Sequence, residues 1–429
     1  MLCWEYDGSL VTSHKSEVVY KMEKTMNIKL KTLAIAVSST IAIGFAAPAS
    51  AQISGDVIKI GFITDMSSVY SDIDGPGGAE AIKMAIADMG GNINGKKIEL
   101  IVADHQNKAD IASSKAREWF DQQGLDMLIG GTNSGTALAM AKIAAEKKKP
   151  FFEIGAGSTR LTNEECTPYT VHYAYDTYAL AHGTGSEVVK QGGKTWYFVT
   201  ADYAFGASLE KDTTAVVKAS GGSVLGSVKH PLNASDFSSF MLQAQSSKAQ
   251  IIGLANAGGD LINAVKAANE FGVTKNAKLA GLLVFINDIH SLTLKQTQGM
   301  YLTDSWYWDQ NDETRKWAKR YFEKMKKEPS SLQAADYSSA MQYLMAVKAI
   351  GTDDGDKVMA QLRKTKFNDM YAKNAYLRPD GRVVHDMVLY QVKTPAESKY
   401  PWDYLNKIQT IPGEQAFGTK AESKCALWK

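Results

Sequence analysis

From residue 57 onward, short apolar strands alternate with amphipathic helices, and this rhythm restricts the chain to one architecture. Strands are expected over 57–63, 98–103, 127–129 and 151–154, with helices over 79–89, 111–122 and 137–147 between and after them. After a helix over 178–191 the pattern repeats. Strands over 195–200, 223–230, 251–255 and 279–285 are interleaved with helices over 205–219, 237–246 and 260–271. Strand–helix alternation at this pitch means parallel sheets with right-handed crossovers. Two series of similar length predict an α/β chain with two doubly wound lobes. The remaining elements are helices over 314–328, 336–350 and 357–363, then antiparallel strands over 375–377 and 383–392 about the turn Arg378-Pro379-Asp380-Gly381. They have to return to both lobes, so several segments cross between them as a hinge. The expected division is 52–175 plus 306–368 for the first lobe and 176–305 plus 369–429 for the second.

Residues 1–51 are set apart from this pattern. Met26-Asn27-Ile28-Lys29-Leu30-Lys31 is a short basic stretch, 33–47 is apolar, and Ala49-Ser50-Ala51 is a small-x-small site before Gln52. This is the form of a secretory signal, too short to span a bilayer as a helix. The expectation is translation from Met26 or Met22, cleavage after Ala51, and a mature chain of 52–429 free in an exported, periplasmic compartment. No cysteine follows the cleavage site, so no lipid anchor is expected.

Outside the leader, which holds Cys3, the only cysteines are Cys166 and Cys425. An even pair in an oxidising compartment points to one disulfide tying the C-terminal tail to the body, with two buried thiols as the alternative. A loop that long contributes roughly 5 kcal/mol in the chain-entropy model. No metal-ligand spacing is present, and no metal or cofactor is expected. The formal net charge of +2 leaves no basic patch suited to nucleic acid. Catalytic motifs are also missing. Gly192-Gly193-Lys194-Thr195 lacks the first glycine of a phosphate loop, no G-x-S-x-G elbow occurs, and no nucleophile has an assigned base. An exported α/β hydrolase would need such a pair, and is the runner-up reading for that reason.

In open parallel sheets, ligands sit beyond the carboxyl ends of the strands. Two consecutive strand ends here carry the same small polar chemistry, at 130–135 (Gly-Gly-Thr-Asn-Ser-Gly) and 155–158 (Gly-Ala-Gly-Ser). The first starts a helix, whose free N–H groups and dipole suit a carboxylate. Aromatics gather at 169–178, at Tyr203 and Phe205, and at 306–308. Those just past strand ends are candidates for a stacking wall.

Several stretches together resemble the periplasmic solute-binding proteins of ABC importers, in the branched-chain amino-acid-binding branch also called type I. They are the opening strand 58–62 leading to 67–70, then 102–108 (Val-Ala-Asp-His-Gln-Asn-Lys), 130–135, and 155–158 with Leu161-Thr162. Asp202-Tyr203-Ala204-Phe205-Gly206 and Ala257-Gly258-Gly259-Asp260 complete the match. The resemblance implies a monomeric receptor that closes on a small-molecule carboxylate between its lobes and delivers it to ABC permease subunits. A sensor handing its closed form to a membrane receptor is a further possibility. Carried over by position, the carboxylate site falls on Ser134, Ala156 and Ser158, and Asn133 and Gly157 in the same loops are further ligand-binding candidates. Tyr70 covers the ligand, Phe205 and the Asn256–Gly258 turn contact it from the second lobe, and Tyr203, just past a strand end, is a further candidate. Asp288 is the candidate partner for the ammonium of an amino acid. The stretches 175–181 and 307–309 look like a subgroup that takes up aromatic and other organic acids.

Overall fold

The computed structural model describes residues 52–429; the expected signal, its cleavage site and Cys3 fall outside the described residues. The β-branched run near the start of the described residues forms β1 (Val57–Thr64), buried on both faces over most of its length, as a central parallel strand must be. It is followed by β2 (Asn92–Ile93), β3 (Lys96–Asp104), β4 (Met127–Gly130), β5 (Phe151–Glu153) and β6 (Thr170–His172). Their order across the sheet is β2-β3-β1-β4-β5-β6, all parallel except β2. The crossovers are α1 (Gly75–Asp88), α2 (Ala109–Gln122) and α3 (Ser134–Glu146).

The second sheet repeats the plan. Helices α4 (Thr177–Leu180) and α5 (Ser186–Lys190), joined by a π-turn at Ala181–Gly185, lead into β7 (Thr195–Ala201), β8 (Ser223–His230), β9 (Ile251–Ala255) and β10 (Lys278–Gly281). The order is β10-β9-β7-β8, again parallel. Its crossovers are α6 (Ala204–Ala219), α7 (Ser238–Ser246) and α8 (Gly258–Glu270). In each sheet the order reverses at one strand, β1 in the first and β7 in the second. Loops leaving neighbouring strands diverge there and open a crevice.

The rest of the chain serves both lobes. After α9 (Ile286–Leu292) and α10 (Leu294–Thr297), β11 (Tyr301–Asp304) starts a small antiparallel sheet. Then α11 (Asp312–Met325) and the 20-residue α12 (Ser331–Ile350) return to the first lobe and cover α1. Ser330 caps α12 with Gln333 as its reciprocal partner, and Gly351 closes it in the left-handed region. Helix α13 (Gly355–Lys364) leads to the hairpin of β12 (Tyr376–Leu377) and β13 (Val383–Val384). Strands β14 (Met387–Val392) and β15 (Leu405–Ile411) complete the sheet begun by β11, before α14 (Gly413–Ala416). Among the described residues no helix is long and apolar enough to cross a membrane.

The expected elements over 57–271 are present within a few residues of their sequence-based limits. The exceptions lie later. The run 279–285 is strand only as far as Gly281, where pairing with β9 ends at Leu254. Residues 282–285 stay buried but lead into α9, and an apolar run alone does not distinguish the two states. The strand expected over 383–392 divides at His385-Asp386 into β13 and β14, which belong to different sheets. Residues 376–384, grouped above with the second lobe, continue the edge of the first: Arg382 bridges His172 in parallel, and the His172 N–H donates to Gly381 O at 2.7 Å. The buried Arg382 guanidinium explains that choice. It donates to Tyr175 O at 2.8 Å and lies 3.9 Å from Asp176, which places an opposite charge beside it.

Cys166 and Cys425 form a disulfide, and Cys425 is fully buried. Lys424 pairs with Glu164, and Arg378 lies over the Trp428 ring at 4.0 Å, so the tail is held to the first lobe at several points. Cys425→Ser should lower Tm by the equivalent of about 2–5 kcal/mol, the usual loss for a native disulfide, and leave cleft ligands bound as before. Calorimetry with and without reductant checks this; an unchanged Tm in the variant would show that the bond contributes nothing.

Candidate functional site

The two crevices face each other and enclose a cavity. It measures about 250 Å³ counted to the atom surfaces, but only about 10 Å³ to the centres of water-sized spheres. Its walls come almost wholly from residues just past strand ends. Tyr70 and Ile73 follow β1, Thr132, Asn133 and Ser134 follow β4, and Gly155 and Ala156 follow β5. Tyr175 follows β6, Tyr203 and Phe205 follow β7, Ala257 follows β9 and Leu283 follows β10.

Internal hydrogen bonds shape the loops after β1 and β4. Asp65 accepts from Ser68 N, Ser68 Oγ, Tyr70 N and Asn107 Nδ2 at 2.7–3.0 Å and so shapes the loop that presents Tyr70. Burial pushes the Asp65 carboxyl up, but those donors outweigh it and leave it below its ordinary value. Asn133, at a φ of 72°, caps α3 by accepting from Gly135 N and Thr136 N. Ser134 opens α3. Its Oγ accepts from Ser158 N at 3.1 Å, which leaves its hydroxyl proton and its own N–H without acceptors among the described residues. Those two donors stand at the positive end of a 13-residue helix.

The lobes are closed on each other. Tyr70 and Tyr203 share a hydroxyl hydrogen bond of 2.6 Å across the cleft. Ser158 Oγ and Ser208 Oγ lie 2.7 Å apart, Asn287 Nδ2 donates to Asp72 O at 2.9 Å, and Gly259 N donates to Val69 O at 2.9 Å. The last contact needs a glycine beside it: Gly258 has a φ of 57°, and a Cβ there would run into Val69 O.

No Asp, Glu, Lys or Arg lines the cavity. Acidic groups do stand behind the loops. Thr64 Oγ1 donates to Asp74, Glu153 accepts from Ala156 N at 2.8 Å, and Asp336 lies beside Asp74. Burial raises all three, with mutual repulsion adding to it for Asp336, and Asp74 rises to about 6. Burial thus disfavours the charged form of each, and all three stand behind the loops, outside the cavity wall. Among the described residues no group of three or more His, Cys, Asp or Glu is placed to hold a metal.

Of the candidates read from sequence, Tyr70, Asn133, Ser134, Ala156, Tyr203 and Phe205 line this cavity together. Gly157 stands just behind, where a side chain would meet the rings of Phe205 and Tyr175. Ser158 faces Ser208, not the cavity, and Asn256 is buried against His230 Nε2 at 3.1 Å. Asp288 is also outside: it caps α9 by accepting from Phe285 N at 2.9 Å. Trp306 and Tyr307 are core, with Trp306 Nε1 donating to Met370 O and the Tyr307 hydroxyl to Trp402 O. The candidate set lacked Ile73 and Leu283, aliphatic residues that nothing in the sequence separates from core.

The periplasmic binding protein family matches residues 57–399. The chain belongs to that family. A periplasmic binding protein from Burkholderia mallei, solved by crystallography, is 70% identical with a TM-score of 0.86, over 87% of this chain and all of that one. A crystal structure described as a branched chain amino acid ABC transporter periplasmic ligand-binding protein, from Burkholderia xenovorans LB400, is 41% identical with a TM-score of 0.77 over the same shares. Among curated proteins, Leu/Ile/Val-binding protein homolog 6 of Brucella abortus is 26% identical over 197 residues, which are 46% of this chain. The chain spans about half the length of the curated relatives it matches. The fold class is therefore that of type I periplasmic binding proteins.

Burial, and secondarily the charge of Asp72, push Asp288 from 3.8 up to about 7, although the Phe285 N–H pulls it down. The folded chain thus holds this proton more tightly than the unfolded chain. Its stability contribution is present below about pH 4 and is lost as pH climbs through about 7. Asp288→Asn removes the titration and keeps an acceptor for Phe285 N. Tm of the variant minus that of the wild type should rise between pH 5 and pH 8 in thermal-shift scans, with ligand affinity within about twofold because the side chain is outside the cleft. A difference independent of pH would contradict the burial argument.

Proposed function

We propose that this protein is the extracytoplasmic receptor of an ABC importer and that it carries an aromatic or otherwise hydrophobic carboxylate. It makes and breaks no covalent bonds. The periplasm is its compartment, reached through the signal at 26–51, and permease subunits that recognise the closed lobes are its partner.

One observation carries the ligand class: the cavity wall contains no charged side chain. An α-amino acid brings an ammonium group, and burying that charge without an acidic partner is costly. Asp288, the sequence candidate for that role, is occupied as the cap of α9. A monocarboxylate needs only donors. The Ser134 N–H and hydroxyl at the start of α3 supply them, and the Tyr70 and Tyr203 hydroxyls lie opposite. The rings of Tyr70, Tyr175, Tyr203 and Phe205 then suit a flat apolar body. The fold accommodates such ligands, since R. palustris solute-binding proteins have been solved with benzoate and with 4-hydroxybenzoate. The names of closer relatives favour a branched-chain amino acid instead, which makes leucine the competing ligand.

Closure has to be reversible, because the space now open to a water-sized sphere admits no organic acid. Ligand replaces the Tyr70–Tyr203 contact and holds the lobes through itself, the usual logic of hinge closure. Calorimetric titration of the purified protein should show binding of benzoate or 4-hydroxybenzoate and none of leucine. Ser134→Ala should weaken that binding about 10- to 100-fold, the loss of a hydrogen bond to a charged group of roughly 1.5–3 kcal/mol. Micromolar leucine binding with no response to the aromatic acids would overturn the ligand assignment.

A further inference from the structure

The first lobe contains a second cavity, and it is much larger than the cleft in its closed form. It lies between α12 and α13 on one side and β5, β6 and the β12–β13 hairpin on the other. By the measure that gives about 10 Å³ for the cleft, it holds about 330 Å³. None of its lining residues is shared with the cleft.

Its lining is mostly apolar, with Gln342, Gln361, Thr365 and Asn368 as polar exceptions besides Lys366. Phe152 and Val171 come from the sheet, Ala346 from α12, Leu362 from α13, and Phe367 from the following loop. The groove opens to solvent beside Met345, which is 40% exposed, and a concave, mostly apolar lining of this kind is the form of a small-molecule site. Apolar cavities of about 150 Å³ take up benzene, and about twice that volume suits a fused aromatic pair or a chain of about ten carbons.

The mouth has the opposite character. Lys366 lines it at the end of α13, with an exposed side chain. Among the described residues it has no carboxylate within ion-pair distance, and its one close partner is the Tyr376 ring, 5.5 Å from the ammonium. The nearby acid is already engaged. Asp369 accepts from Tyr371 N and Ala372 N on one oxygen, and from Ser338 Oγ and Gln342 Nε2 on the other. An apolar chamber of this volume with one uncompensated cation at its edge matches an amphipathic anion.

We propose that the first lobe binds a hydrophobic monocarboxylate at this cavity, with its apolar body between α12 and α13 and its carboxylate on Lys366. The site is independent of the cleft ligand. Because it lies between the helices that cover the first sheet and the hairpin that extends it, occupancy stiffens one lobe.

Met345 lines this cavity and no methionine lines the cleft, so its methyl group separates the two sites. The protein is labelled with methyl-13C methionine, the Met345 signal is assigned through Met345→Leu, and 2-naphthoate and decanoate are titrated as separate arms. The expected result is a saturable shift of the Met345 methyl by at least one of them, unaffected by saturating benzoate. The matching neutral alcohols should bind at least fivefold more weakly. Lys366→Glu, at an exposed position that leaves the core untouched, should weaken the acid five- to tenfold, and Ala346→Phe should abolish the shift by filling the chamber. A silent Met345 with both acids overturns the proposal, and so does equal affinity for acid and alcohol together with an unchanged Lys366→Glu titration. Failure of benzoate to bind anywhere would count against the cleft assignment alone.

Discussion

Everything in the cleft depends on one geometric constraint: two parallel sheets present the carboxyl ends of their strands to each other. A parallel strand ends where its backbone must turn into a helix, and that turn exposes N–H groups and short polar side chains. At β1 and β7 the neighbouring loops diverge, which opens space where those groups are densest. Tyr70, Ser134, Ala156, Tyr203 and Ala257 therefore meet although up to 187 positions separate them in sequence. The segments that cross between the lobes hold the two sets of ends facing each other.

The electrostatics follow from the same turns. The donors that face the cavity are oriented dipoles, and the described wall carries no charged side chain. Ser134 is poised because Asn133 takes up the next two N–H groups of α3 and leaves the first free. The acids beneath the loops, Asp74, Glu153 and Asp336, are all raised by burial, which disfavours their charged forms behind the ligand loop. Gly131 leaves room for Asp74 and Thr64 against the β4 turn, so the acids pack close behind the ligand loop without reaching the cavity. The Tyr70–Tyr203 contact joins the lobes by neutral groups that a ligand can displace at small cost.

Much of this was legible in the sequence because the parallel sheets write themselves as apolar runs with polar, glycine-rich ends. Asn133, Ser134, Tyr203 and Phe205 could be picked out for that reason, and Cys166 with Cys425 by elimination. What failed to show has physical causes. Strands β12 and β13 are two residues each, too short for any period, and their place on the first lobe is decided by the buried Arg382 far from its partners Tyr175 and Asp176. Residues 282–285 are as apolar as a strand yet form a buried loop, which moved Asp288 into the first turn of α9 as a cap. Ser158 and Asn256 carry the right chemistry, but each is turned toward a neighbour, Ser208 or His230, that only the folded chain brings within reach. Ile73 and Leu283 are ordinary aliphatic residues, and only position makes them cavity wall.

The central claim is that a cleft without charged side chains holds a carboxylate at the start of α3. A crystal structure of the protein grown with 4-hydroxybenzoate addresses it most directly. The account predicts carboxylate oxygens about 3 Å from the Ser134 N–H and hydroxyl, the ring against Tyr70, Tyr203 and Phe205, and no acidic or basic side chain in contact. A ligand seated on a carboxylate or ammonium side chain, or one that leaves Ser134 untouched, would contradict it.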